Sequence, residues 1–357
     1  MFRRLFFVYL FLILTGLISH AQEAEIYYPG ESWRVTEPEA VGFSANFSRN
    51  IDYGIVKSEL NSLRSLLVIK DGFLVYEHYR PGAENELQAV RSVTKSVTAT
   101  LVGIALQRGD LTGIDMTLGD TIPDYFENED ANPDLQGITM RDLLMMRSGI
   151  EWTDTSFNVL RLRDDRQDVI AWILSLPLAA EPGSQWNYSS ADSHLVSVMF
   201  QTLVGQSLND YASTYLFEPL GIREWEWLDT GGYSSGGAEL SLFTEDMARI
   251  GYLYAQGGIW NGEQLFSNEW LDLVTGSQEE TSYYGYYWWV VTREDLPQPV
   301  YVAIGYGGQF IYVLPEQNLV IVATSDWILI DSAEITQSIA TQNLIIDHII
   351  LALNNDL

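Results

Sequence analysis

Segments of strand length and composition crowd the two ends of this 357-residue chain and are scarce in between. Near the start, "LRSLLVIKDGFLVYEHYRPG" (63–82) holds two apolar runs joined by Lys70-Asp71-Gly72, which predicts a β-hairpin with its turn at Asp71–Gly72. Near the end, "YYGYYWWVVT" (283–292), "QFIYVLP" (309–315) and "NLVIVATS" (318–325) read as strands, the last two joined by a turn at "PEQN". Between them the spacing is helical: "TMRDLLMMRSG" (139–149), "QDVIAWILSLPL" (167–178), "SADSHLVSVMFQTLVG" (190–205), "LNDYASTYLFEPLG" (208–221) and "TEDMARIGYLYAQGG" (244–258). The segment 331–354 reads as a last helix with Ile335, Ile339, Ile346, Ile350 and Leu353 on one side. These patterns predict an α/β (α+β) fold: an antiparallel sheet formed from both chain ends and flanked by helices, carrying an inserted, mostly helical lobe over about 111–269.

The first residues, "MFRRLFFVYLFLILTGLISHAQ", place Arg3 and Arg4 before an apolar run from Leu5 to Ile18, then Ser19 and Ala21 in small-x-small spacing. This is the pattern of a secretory signal cleaved after Ala21, and the run is short of the ~20 apolar residues that a spanning helix needs. The reading predicts a periplasmic or secreted protein with no membrane anchor after cleavage. The mature chain, 22–357, is expected to be a single domain whose sheet-bearing lobe covers about 22–110 and 270–357. With no cysteine, it has no disulfide, no thiolate metal site and no cysteine nucleophile, so the core alone must hold it together.

Charge narrows the partners. The formal net charge is −29, and losing Arg3 and Arg4 with the leader takes it to −31. A field of that sign repels phosphate backbones, so no nucleic acid is expected as a partner. The four histidines are scattered without metal-ligand spacing, and no cofactor is expected. Lysine is rare, with only Lys57, Lys70 and Lys95.

One of those three lysines stands in "AVRSVTKSVTATLVGIALQRGDL" (89–111), where Ser92 and Lys95 are three apart at the start of a helical pattern that stops at Gly109. That spacing stacks the lysine over the serine on one helix face. An amine losing its charge there could take the hydroxyl proton, and a serine at a helix start has a main-chain N–H available to a developing oxyanion. The bland alternative is a capping serine beside a surface lysine. In "EPGSQWNYSSADSHLVSVMF" (181–200), Tyr188 follows a Pro-Gly turn and opens a helix; it is either a proton relay or an aromatic packed beneath a loop. In "YVAIGYGGQFIYVLPEQNLVIVATS" (301–325), Gly305, Gly307 and Gly308 lead into a strand. They mark either a β-bulge or a close approach of backbone to ligand.

A competing pattern, "GYSSG" (232–236), fits a nucleophile elbow with Ser234 as the nucleophile. An elbow needs a strand before it and a helix after it. Here "LDTGG" precedes and "GAELSL" follows, and His78, His194 and His348 read as structural or surface residues. The Tyr and Trp cluster at 283–289 reads as a core strand with some rings available to a cleft.

Together the Ser92/Lys95, Tyr188 and Gly305–Gly307 elements resemble, in this order, the serine β-lactamase and penicillin-binding protein superfamily. The resemblance is nearest to its class C-like branch of esterases, D-amino-acid peptidases and 6-aminohexanoate-dimer hydrolases. "GITMRDLLMMRSGIEW", "PGSQWNYSSADSHLVS", "LFEPLGI", "LSLFTEDMARIGYLYAQGGIWNGEQLF" and "AIGYGGQFIYVLPEQNLVIVATS" extend it over about 60–325. The resemblance implies a β-lactamase/transpeptidase-like fold. It also implies Ser92 as the acylated nucleophile, Lys95 as its base, Tyr188 as a proton-transfer partner and the N–H groups of Ser92 and Tyr306 as the oxyanion hole, with Ser190, Gly305 and Gly307 facing the substrate.

The chain departs from that pattern twice. Gly305-Tyr306-Gly307 stands where β-lactamases usually have Lys-Thr-Gly, and Ser190 stands where they favour asparagine. Both departures remove groups that hold a β-lactam. The expected activity is therefore serine hydrolysis of a small ester or amide through an acyl-enzyme. D-amino-acid peptidase or weak β-lactamase activity is the alternative, and non-catalytic binding of cell-wall fragments a second.

Overall fold

The computed structural model describes residues 26–163, 168–276, 283–326 and 332–353; the signal segment read at 1–21 lies outside them. After a short edge strand β1 (Arg34–Val35) and helix α1 (Phe47–Lys57), β2 (Leu63–Lys70) and β3 (Phe73–Tyr79) form the expected hairpin. Asp71 and Gly72 both take left-handed backbone, φ 55° and 81°, the turn geometry that matches the twist of paired strands. Strand β4 (Gln88–Ala89) leads into α2 (Val93–Arg108), which ends where Gly109 turns left-handed at φ 78°. The inserted, mostly helical lobe includes α3 (Ser190–Val204), β5 (Glu226–Trp227), β6 (Leu240–Leu242) and α4 (Thr244–Ala255), and runs into α5 (Asn268–Thr275). The chain returns through β7 (Trp289–Val291), β8 (Val300–Gly305), β9 (Gln309–Leu314) and β10 (Leu319–Ser325), then enters α6 (Ser332–Leu344).

The main sheet runs β1-β3-β2-β10-β9-β8-β7, antiparallel throughout except for the β1–β3 pair. Its two chain ends meet at β2 and β10, where Val68 faces Ile321 and Leu67 faces Val322. Alternation sorts the side chains of these strands. Leu67, Ile69, Val320 and Val322 pack toward α2, α4 and the helical lobe, while Leu66, Val68, Ile321 and Ala323 pack toward α1 and the C-terminal helical segment. With both faces covered, the central strands read as continuous apolar runs. None of the helices in the described residues is long and apolar enough to cross a membrane.

Two local expectations are corrected. The strand predicted at 283–292 is extended only over Trp289–Val291. Tyr287 holds a left-handed φ of 64°, which breaks the pleat, and Tyr284, Tyr286, Tyr287 and Trp288 pack into the core from a loop. In the terminal helical segment, Ile335 and Ile339 are exposed, and the buried face is Leu344, Ile345, Ile346, Ile349 and Ile350. A π-turn at Ile345–Ile350 shifts the helix phase there, so a stripe counted at uniform spacing fails.

The core of the helical lobe contains a buried carboxyl. Asp192, in the first turn of α3, is fully buried; its carboxylate accepts from Ser148 Oγ at 2.8 Å, and its N–H donates to Ser189 Oγ at 3.0 Å. Burial pushes the Asp192 carboxyl up to about 7, against the lowering effect of the Ser189 and Ser148 hydrogen bonds. An unfolded carboxyl titrates near 4, so between about pH 4 and 7 the folded chain holds a proton that the unfolded chain has released. Stability is therefore lost as pH rises through that window and levels off above it. Asp192→Asn keeps the acceptor and cannot ionise. Its Tm relative to the parent should rise as pH goes from about 4.5 to 7.5, and thermal melts that stay parallel across that range would refute the assignment.

Candidate active site

Ser92 stands at the N-terminus of α2, and the residue before it, Arg91, holds a left-handed φ of 53°. That backbone costs energy for a non-glycine residue, and here it makes the sharp turn from β4 into the helix. Arg91 is itself buried. Burial, then the nearby Arg163 charge, pushes its guanidinium down to about 10 against the pull of Glu239.

One turn on, Lys95 is only 1% exposed, an unusual place for an amine. Its Nζ lies within hydrogen-bond reach of Ser92 Oγ at 3.2 Å, Ser190 Oγ at 3.1 Å and the Gly237 carbonyl oxygen at 3.0 Å. All three partners are uncharged oxygens from different parts of the chain. The Nζ also lies 5.0 Å from the centroid of the Tyr188 ring. The i, i+3 spacing, the Tyr188-x-Ser190 element and the lysine thus meet at one point.

The third predicted element arrives through a missing side chain. A Cβ on Gly305, at the end of β8, would stand 2.3 Å from the Val90 carbonyl oxygen and 3.2 Å from Arg91 Cβ. Glycine lets the strand end lie against the turn that carries Ser92. The Tyr306 side chain is 46% exposed, while Gly307 is partly buried and turns left-handed at φ 77°. Gln309 supports this loop, donating from Nε2 to the Gly307 and Ser325 carbonyls at 3.3 and 2.8 Å.

Sequence reasoning missed several neighbours of this point. Tyr188 stacks on Trp289 with centroids 6.1 Å apart, and Trp186 meets Tyr283 and Tyr284 edge-on at 5.6 and 5.4 Å. The aromatic loop and the Tyr188 turn therefore form one wall. Asp154 accepts from Ser190 Oγ at 2.7 Å and from the Ser190 N–H at 3.0 Å, and the Trp152 indole N–H also donates to it. No local pattern marks Asp154, which sits 36 residues from its partner.

The competing Ser234 is fully buried in a short strand, Tyr233–Ser234; its Oγ accepts from the Asn209 N–H at 3.2 Å. The helix that an elbow requires does not follow it. The part of "GYSSGG" that reaches the Ser92 constellation is its last glycine. A Cβ on Gly237 would lie 2.3 Å from Ser193 Oγ and 3.1 Å from Lys95 Nζ, so the bare backbone leaves room for both side chains beside this carbonyl. His194 is buried, which pushes its imidazole down to about 4, and the main chain of Thr230 opposes that shift. A separate polar hollow of about 470 Å³, lined by Glu84, Glu224, Glu245, Asp246, Arg223 and Arg249 among others, includes none of Ser92, Lys95 and Tyr188.

The chain is similar in sequence and fold to known proteins. The "Beta-lactamase" family model matches residues 64–327. A 6-aminohexanoate-dimer hydrolase of Paenarthrobacter ureafaciens is 25% identical over 290 residues, 74% of this chain and 72% of the relative. Penicillin-binding protein 4* of Bacillus subtilis is 25% identical over 175 residues, 45% of this chain and 37% of that protein. A solved Bacillus anthracis protein, provisionally assigned as a 6-aminohexanoate-dimer hydrolase, superposes with a TM-score of 0.71 at 20% identity, covering 90% of this chain and 86% of the other. The family match spans well over half of the sequence and the fold agrees with it, so the chain belongs to the β-lactamase family of hydrolases.

Proposed function

We propose that the protein is a serine hydrolase that cleaves a small ester or amide through an acyl-enzyme, with Ser92 as nucleophile. The observation that carries this reading is the buried Lys95 amine 3.2 Å from Ser92 Oγ. In the proposed reaction, Ser92 Oγ attacks the substrate carbonyl carbon as its proton passes to the lone pair of the Lys95 amine. The carbonyl π electrons move to oxygen, and the N–H groups of Ser92 and Tyr306 receive that oxyanion. Collapse expels the alcohol or amine, which takes a proton through Tyr188 from the ammonium of Lys95. Water then attacks the acyl-enzyme by the same steps in reverse and frees the acid.

The substrate class follows from what the site offers. Gly305-Tyr306-Gly307 presents no cation to a β-lactam carboxylate, while the wall of Trp186, Tyr188, Tyr283 and Trp289 offers flat apolar contact. We accordingly favour short esters and linear amides without an adjacent carboxylate, and place the reaction outside the cytoplasm on the strength of the leader. The likeness to a 6-aminohexanoate-dimer hydrolase supports a linear amide among the substrates to be tried.

Ser92→Ala should abolish turnover of p-nitrophenyl acetate, and a fluorophosphonate should label the parent protein at Ser92; label at Ser234 would overturn the reading. Assayed beside that ester, a D-alanyl peptide and the linear aminohexanoate dimer, nitrocefin should be the poorest substrate. Loss of one charge-assisted contact corresponds to a deficit of roughly 10- to 100-fold. Nitrocefin turnover matching that of the ester would remove the specificity argument.

A further inference from the structure

A neutral lysine amine has two N–H donors and one lone pair, so a base at Lys95 works on Ser92 only if its two hydrogens are committed elsewhere. The Gly237 carbonyl can only accept, at 3.0 Å, and takes one hydrogen. The second must go to Ser190 Oγ, 3.1 Å away, but a hydroxyl both donates and accepts. Were Ser190 to point its own hydrogen at Lys95, it would occupy the lone pair and compete with Ser92. What settles the direction is Asp154. Its carboxylate has no hydrogen to give, and Ser190 Oγ lies 2.7 Å from Asp154 Oδ2. The Ser190 hydrogen goes there, and the oxygen is left as an acceptor toward the amine.

We infer that Asp154 is a positioning residue. By fixing which way the Ser190 hydroxyl points, it turns the Lys95 lone pair toward the Ser92 hydroxyl. Asp154 itself touches none of the reacting atoms; it acts through Ser190. The inference rests on the proposed roles of Ser92 and Lys95. It competes with a plainer role, because Asp154 Oδ1 also accepts from the Ser190 N–H at 3.0 Å, at the N-terminus of α3, where a carboxylate steadies a helix.

The two roles separate chemically. Asp154→Asn keeps the shape and an acceptor for the Ser190 N–H, but its amide N–H₂ can donate to Ser190 Oγ and reverse the hydroxyl. Polarity control predicts a kcat for p-nitrophenyl acetate lowered roughly tenfold or more with KM within about twofold of the parent, and a nearly unchanged Tm. Ser190→Ala removes the hydroxyl but keeps the N–H. In that background Asp154→Asn should cost no further activity, whereas independent effects would multiply.

A kcat for Asp154→Asn within about twofold of the parent, a loss confined to KM, or losses that multiply in the double variant would each overturn the inference. If the Asn variant is not recovered folded, Asp154→Ala carries the same cycle. The fluorophosphonate labelling rate, read at Ser92 in every variant, keeps this outcome apart from the larger one: label absent from Ser92 in the parent overturns the serine-hydrolase reading itself.

Discussion

A single buried amine holds the architecture of the site together. The Lys95 amine must find hydrogen-bond partners inside a core that excludes water, and an unmet buried polar group is expensive. It does so by drawing on three segments distant in sequence: the start of its own helix at Ser92, the start of α3 at Ser190 and the backbone at Gly237. The start of α2, the start of α3 and the Gly237 loop are thereby tied at one atom. A shift of any one of them leaves a polar group unpaired, which helps hold the relative placement of the lobes.

Backbone proximity is the second device. At Gly305 and Gly237 the absent side chain matters more than any side chain present, because each lets a main chain approach to a distance that a Cβ would forbid. Gly305 brings a strand end against the turn that carries Ser92, and Gly237 brings a carbonyl against the lysine. The left-handed Arg91 belongs to the same device, since the sharp turn there starts α2 beside the end of β8. Around this backbone frame, Trp186, Tyr188, Tyr283, Tyr284 and Trp289 build an aromatic wall that joins a loop of the helical lobe to the edge of the sheet.

Much of the frame is legible in the residues. The β2–β3 hairpin, the β9–β10 hairpin and the start and stop of α2 follow from local turn chemistry and periodicity, which depend on neighbours a few residues away. The Ser92-x-x-Lys95 pair is visible for the same reason. The segment 283–288 misled because aromatic, β-prone residues also suit a buried loop, and only packing against α5 and the lobe decides between the two. The terminal segment misled because a π-turn changes the period partway along.

The sequence by itself determined which local elements form and which residues carry chemistry-bearing groups, because hydrogen bonding within a helix or hairpin and the spacing of apolar side chains are short-range properties. Only the tertiary structure decided which of those groups meet. Asp154 and Ser190 are 36 residues apart, and Lys95 and Gly237 are 142. No local rule connects them; contacts of that range depend on how layers close over a common core, where excluded water favours polar groups that meet a partner.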